Sequence, residues 1–318
     1  MTKNATARNG DCTPNISHNN FRNYSPPAPD GSYPYRLWHS DVIVPDKPNT
    51  ILVHGAPALR LEPELNGIKC VPMPGHLRDR PNNYFCRLGP LLHNELYGGH
   101  NIWEFEYADQ PVTDPLTNSP FEDPATHEIL YFNFGDLRDY GIRLAQAVDI
   151  VRKCNSTGDV NIIAHSMGGL VARSAVQNGT VNKLVTLDTG HYGFNLAGFF
   201  DRVMQNLPDY IRHNAPCVHQ TAPGNKFLND LNGSFRHCRV MPLSSLAANN
   251  AFPRPIGRIV EFSSAHLGED SPGGTIRYDD HCTPFNVVQD VDHLSIIQIY
   301  NESHPAFCKI VEALGHNC

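Results

Sequence analysis

The sequence predicts an α/β chain, a mostly parallel sheet covered by helices on both faces. Three observations predict it. Short apolar runs bounded by Gly, Asn or Asp recur from about residue 49 onward, the signature of strands buried on both sides. Stretches with helical apolar spacing lie between them. Finally, 318 residues that are 40% hydrophobic and only 18% charged are enough for one large core.

The elements follow in chain order. Residues 1–48, rich in Asn, Pro and Ser near the start, read as an extended N-terminal arm, and residues 49–318 as one domain. Thr50 to His54 is a short buried strand ending at Gly55. A Pro- and Cys-containing stretch follows, with a helix expected near 84–97 and a strand over Asn101 to Tyr107. Residues 136–153 place Leu137, Tyr140, Leu144, Val148 and Val151 on one stripe, which is a helix with one core-facing side. Asp159 to Ala164 is a strand, and Met167 to Val176 a helix stopped by Asn178 and Gly179. Strands are expected at 181–188, 258–264 and 286–291, and a largely helical segment at 295–314.

Composition excludes several roles. The net charge is −7, from 25 basic and 32 acidic residues, so no nucleic-acid partner is expected. The 17 histidines are scattered and form no HExxH motif, so no metal and no cofactor is expected. No apolar run reaches about 18 residues, so no transmembrane helix is expected. The polar N-terminus has no apolar core of a signal peptide. Nine cysteines in loop-like segments, outside zinc spacings, suggest disulfides and an oxidising compartment. Sequons at Asn4, Asn15, Asn23, Asn155, Asn178, Asn232 and Asn301 point the same way. The expectation is a mature, secreted, extracellular glycoprotein. Close spacing makes Cys70–Cys86, Cys217–Cys238 and Cys308–Cys318 the expected pairs, and the odd count leaves one cysteine over.

The segment that carries chemistry is DVNIIAHSMGGLVARSAV. An apolar strand runs into Ser166 and an amphipathic helix follows, the context of a nucleophile elbow. A serine on such a turn stands proud, and the residues two before and two after must be small to clear the neighbouring strand and helix. Ala164 and Gly168 meet that need, and Gly169 allows close packing.

On these residues the chain resembles the α/β-hydrolase superfamily, and within it the lipase-like group. AHSMG is similar to the pentapeptide of small bacterial lipases, with Ala in place of the first Gly. Ile51 to Gly55 resembles the HG motif at the end of the third strand, and His293, in Val291 to Ile297, the last-strand histidine. Gln220 to Asn232 resembles a segment before the penultimate strand. The resemblance spans roughly 49–314 and implies an ester hydrolase that needs no cofactor.

The resemblance assigns the roles. Ser166 is the nucleophile and His293 the base, because a free serine hydroxyl attacks poorly. The acid is expected after the strand at 258–264: Asp270 is favoured, with Asp280 the alternative and Asp279 beside it. The five residues between Asp280 and Asn286 reach at most about 20 Å, barely one strand length, whereas Asp270 leaves fifteen. The oxyanion donors are expected to be the N–H groups of Met167 and Ala56, although Pro57, which has no N–H, departs from the usual loop.

A lid or cap insertion is expected over about 191–256. Leu196, Phe199, Phe200, Val203, Met204 and Leu207 fall at helical spacing there. This face serves either a lid that lines an acyl pocket or meets a lipid–water interface, or plain packing on the core. The expected function is carboxylic ester hydrolysis of lipase type. The alternatives are a thioesterase or acyltransferase on the same triad, and an inactive hydrolase fold kept as a binding module.

Overall fold

The computed structural model describes residues 16–18, 21–23, 36–40, 43–44, 46–55, 64–65, 68–69, 85, 87–107, 110–111, 117, 119, 131–154, 157–178, 181–191, 193, 197, 209–234, 240–245, 286–288 and 295–318. Its centre is one nine-stranded sheet. The strands are β1 (Ile16–His18), β2 (Phe21–Asn23), β3 (Arg36–Ser40), β4 (Asn49–Val53) and β5 (Asn101–Glu106), then β6 (Val160–His165), β7 (Lys183–Leu187), β8 (Val240–Ser245) and β9 (Asn286–Val288). Their spatial order is β1-β2-β3-β5-β4-β6-β7-β8-β9. The six strands from β5 to β9 are parallel, and β1, β2 and β3 continue the sheet antiparallel at the β5 edge. Three segments of the expected N-terminal arm are therefore strands. Two small hairpin-like pairs, Glu64–Leu65 with Ile68–Lys69 and Gln110–Pro111 with Tyr131–Phe132, stand apart.

The period-two geometry of a strand sends alternate side chains to opposite faces, and here both faces are covered. Ile51, Val53, Ile162, Ala164 and Leu184 face α2 (Leu137–Lys153) and α3 (Met167–Asn178) in one core cluster. Leu52, Ile102, Ile163 and Val185 face α1 (Leu88–His93) and the C-terminal helix Pro305–Ala313 in the other. Helix α2 begins at the expected place because Asp136 caps it, accepting from Arg138 N at 2.7 Å, and Arg152 and Lys153 fill its last turn.

The differences from expectation have local causes. The helix expected near 84–97 breaks at Asn94, which turns extended and caps a separate 3-10 turn, Glu95–Tyr97. The helical segment expected at 295–314 divides into a 3-10 turn, Ser295–Ile297, and the helix that starts at Pro305 with His304 as its cap. Proline is at home at a first helical position and not inside a helix. The strand expected at 258–264 lies outside the described residues, and the place beside β7 is taken by β8, Val240–Ser245. Pro242 makes that run read poorly as a central strand.

Within 191–256, the described helices α4 (Asp209–Asn214), α5 (Pro216–Thr221) and α6 (Lys226–Ser234) precede β8. Cys217, Val218, Phe227, Leu228 and Leu231 of this segment join the α2/α3 core. The expected amphipathic run at 196–207 lies outside the described residues except for Ala197, which is partly buried against that core. Cys308–Cys318 forms as expected. The pairing Cys217–Cys238 does not: Cys217, on α5, is free and wholly buried in the α2/α3 core, and burial pushes its thiol up to about 12. Cys70 and Cys86 lie outside the described residues.

Candidate active site

In an open parallel sheet, sites form outside the carboxyl ends of strands where the order reverses. Here β5 lies on one side of β4 while β6, the next of the parallel strands in the chain, lies on the other. The switch point is therefore between the ends of β4 and β6, where His54 and Ser166 begin their loops.

Ser166 links β6 directly to α3 at φ +52°, left-handed backbone that a non-glycine residue rarely adopts. Such a conformation costs on the order of 1–3 kcal/mol and persists only when the surroundings fix it. Two backbone bonds do so: Ser166 N donates to Leu187 O on β7 at 2.9 Å, and Gly169 N donates to Ser166 O at 3.0 Å. Ala164 is fully buried, paired with Val53 on one side and Thr186 on the other. A Cβ on Gly168 would run into the His54 carbonyl oxygen and stand 2.8 Å from that of Val53, and one on Gly169 would overlap the Thr189 side chain. The two glycines after Ser166 are thus demanded by what sits against them, backbone at Gly168 and the Thr189 side chain at Gly169. Met167 opens α3, with its side chain in the core; N–H groups in a helix's first turn have no intrahelical acceptor and carry the positive end of its dipole.

The loop after β4 is held by buried polar groups. His54 Nε2 lies 2.9 Å from Glu106 Oε1, its Nδ1 lies 2.9 Å from Gly55 O, and its ring stacks on Tyr107 at 4.3 Å. The Tyr107 hydroxyl donates to His54 O at 2.8 Å, and Asn133 Nδ2 donates to Gly55 O at 2.8 Å. A carbonyl can only accept, so Nδ1 of His54 carries a proton.

One strand over, Asp188 follows β7 at φ +50° and is also buried. Ser166 and Asp188 are the two described non-glycine residues in left-handed backbone, side by side on adjacent strand ends. Under α3, the buried Arg173 Nη1 lies 3.0 Å from His191 Nδ1, and His191 Nε2 lies 3.2 Å from Thr186 Oγ1. Arginine only donates, so Nδ1 accepts and Nε2 bears the hydrogen. Burial first, and then the Arg173 charge, hold this imidazole well below its usual range.

Of the residues expected to act, Ser166 and Met167 adjoin at the elbow. Ala56, Asp270, Asp279, Asp280 and His293 lie outside the described residues. No sequence motif marks Glu106, Tyr107, Asn133 or Asp188. The available signal was charge where an apolar strand reaches its carboxyl end, as in WEFE and LVTLD, since such residues are rarely buried without a reason. Among the described residues, no group of three or more His, Cys, Asp or Glu could hold a metal ion, and no helix is long and apolar enough to cross a membrane.

Residues 139–232 match the family model described as a PGAP1-like alpha/beta domain. Among solved structures, phospholipase PlaB from Legionella pneumophila aligns with a TM-score of 0.51 at 14% identity, over 85% of this chain and 59% of that one. Aspergillus fumigatus lipase B aligns with a TM-score of 0.46 at 12% identity, over 85% and 53%. Bacillus licheniformis lipase BlEst2 in mature form aligns with a TM-score of 0.47 at 17% identity, over 86% and 97%. The chain thus spans little more than half the length of the first two. No curated protein matches it in sequence. The fold, with its parallel sheet, switch point and strand–turn–helix elbow, is that of the α/β-hydrolases.

Proposed function

We propose that this α/β-hydrolase-fold chain hydrolyses carboxylic esters, of lipid or acyl type, through an acyl-enzyme on Ser166. One observation carries the reading: a serine held at φ +52° between a buried strand and a helix, in a turn where neighbouring backbone leaves no room for a side chain at Gly168. Backbone strain of this kind is retained where a side chain must be presented.

In this reading Ser166 Oγ attacks the ester carbonyl as His293 takes its proton. The N–H groups of Met167 and Ala56 hold the oxyanion. The alcohol leaves with the proton from His293, and water, deprotonated by the same imidazole, releases the acid. Asp270 orients the imidazole, with Asp280 the alternative. A second reading of the acid is Asp188, favoured by its buried place on the strand end next to Ser166. Asparagine at the true acid is expected to cost about 10⁴ in kcat, and at the other two less than about tenfold.

Ser166→Ala assayed on short and long p-nitrophenyl esters tests the whole reading. A loss of at least about 10⁴-fold is expected, and retained turnover excludes it. A fluorophosphonate probe that fails to label the native chain would favour the inactive binding module. Acyl transfer to added glycerol or a thiol would favour the acyltransferase or thioesterase. The sequons and cysteines support secretion and glycosylation, which intact mass before and after glycosidase treatment of the native protein would test.

A further inference from the structure

We infer that Glu106, Tyr107 and Asn133 are positioning residues for oxyanion stabilisation, acting by clamping the carbonyl of Gly55. The inference deepens the ester-hydrolase reading and rests on it. A trans peptide sets its C=O and the following N–H in opposite directions in one plane. Whatever fixes the Gly55 oxygen therefore aims the N–H that shares its peptide, the expected second oxyanion donor.

That oxygen is fixed twice. Asn133 Nδ2 donates to it at 2.8 Å and His54 Nδ1 at 2.9 Å, enough for both lone pairs of a carbonyl, and the Tyr107 hydroxyl stands 3.4 Å away. The imidazole is itself held by Glu106 Oε1 at 2.9 Å and by stacking on Tyr107. The preceding carbonyl, of His54, accepts from the Tyr107 hydroxyl at 2.8 Å. Two successive carbonyls are thus tied by side chains that are all buried. Their sources are the end of β5 and residue 133, far from the loop in sequence.

Packing alone does not call for this set. A buried carboxylate–imidazole pair is a poor stabiliser compared with apolar residues of the same volume. Donors to a developing oxyanion, by contrast, work only if oriented before the reaction. A buried, side-chain-held carbonyl just ahead of that donor meets that requirement.

The test uses the full chain with p-nitrophenyl butyrate, a fluorophosphonate, and thermal unfolding followed by circular dichroism. Asn133→Asp keeps the shape but puts an acceptor against an acceptor. It is expected to lower kcat by about 10- to 10³-fold, up to the loss of one oxyanion donor, with KM within about threefold, and to slow fluorophosphonate labelling by the same factor. Tyr107→Phe is expected to lower kcat several-fold; its ring stays packed between Phe105 and Tyr140, so it decides the matter if Asn133→Asp does not fold. Glu106→Gln should retain more kcat than Glu106→Leu. Folded variants with wild-type kcat, or with losses only in KM or melting temperature, overturn the clamp. Ser166→Ala in the same assay separates the two failures. If it remains active, the ester-hydrolase reading falls; if it is dead while the clamp variants are not, only the clamp falls.

Discussion

The two edges of the parallel sheet bury polar groups in different ways. At the carboxyl edge, Ser166 and Asp188 sit in left-handed backbone, and hydrogen bonds from His54 and Asn133 hold the Gly55 carbonyl. At the amino edge no non-glycine residue is strained among the described ones. There His100 joins Thr50 Oγ1 at 2.8 Å and His316 Nε2 at 3.0 Å, while Lys183 donates to the Leu314 carbonyl. This second cluster ties the C-terminal tail to the starts of β4, β5 and β7. The first edge spends stability on presenting groups; the second accumulates it. Substitutions at the two edges should therefore separate turnover from folding.

The largest expected effect breaks the comparison outright. Gly168→Ala places a methyl into the carbonyls of His54 and Val53, and Gly98→Ala places one against the His316 ring, with strain at φ +103°. The first meets backbone and the second the end of a side chain. Gly168→Ala is expected to cost about 3 kcal/mol or more and to abolish turnover. Gly98→Ala should lower the melting temperature while kcat of the folded chain stays within about twofold. Denaturant titration with parallel kinetics checks both.

A smaller effect, confined to the amino edge, is set by pH. Burial, followed by the charges of His316, Lys183 and Lys47, lowers His100 to about 3. Burial and the same two lysines lower His316 as well. The unfolded chain takes up these protons near pH 6.5 and the folded chain refuses them. The stability is whole above about pH 6.5 and is lost as pH falls toward 3, by up to about 1.4 kcal/mol per pH unit for a fully buried group. Unfolding midpoints should fall between pH 7 and 4, and His100→Gln should flatten that slope. A slope unchanged by this substitution would remove His100 from the account.

The smallest effect isolates strain at the carboxyl edge. Ser166→Gly and Ser166→Ala both delete the hydroxyl and differ by one Cβ at φ +52°. The glycine variant should be the more stable by about 1 kcal/mol, read from paired denaturant melts. Equal stabilities would mean that the left-handed turn costs nothing.

Much of the carboxyl edge was legible in the sequence because it is local. Strand, serine, glycines and helix are contiguous, and α2 carries its own cap and stripe. The clamp was not legible, because His54, Glu106, Tyr107 and Asn133 meet only through tertiary folding across 52 to 78 residues. Strand β8 was hidden by Pro242, a residue that argues against the role its run has. Cys217 was misassigned because spacing in the chain does not reveal that a thiol points into the α2/α3 core.

The amide of Ser166 leans on the carbonyl of Leu187, one strand away. The position of Ser166 is thus tied to the sheet itself, through a neighbouring strand. If Ser166 is the proposed nucleophile, the surrounding loops can be lengthened or exchanged for another acyl chain while its hydroxyl stays where the framework put it.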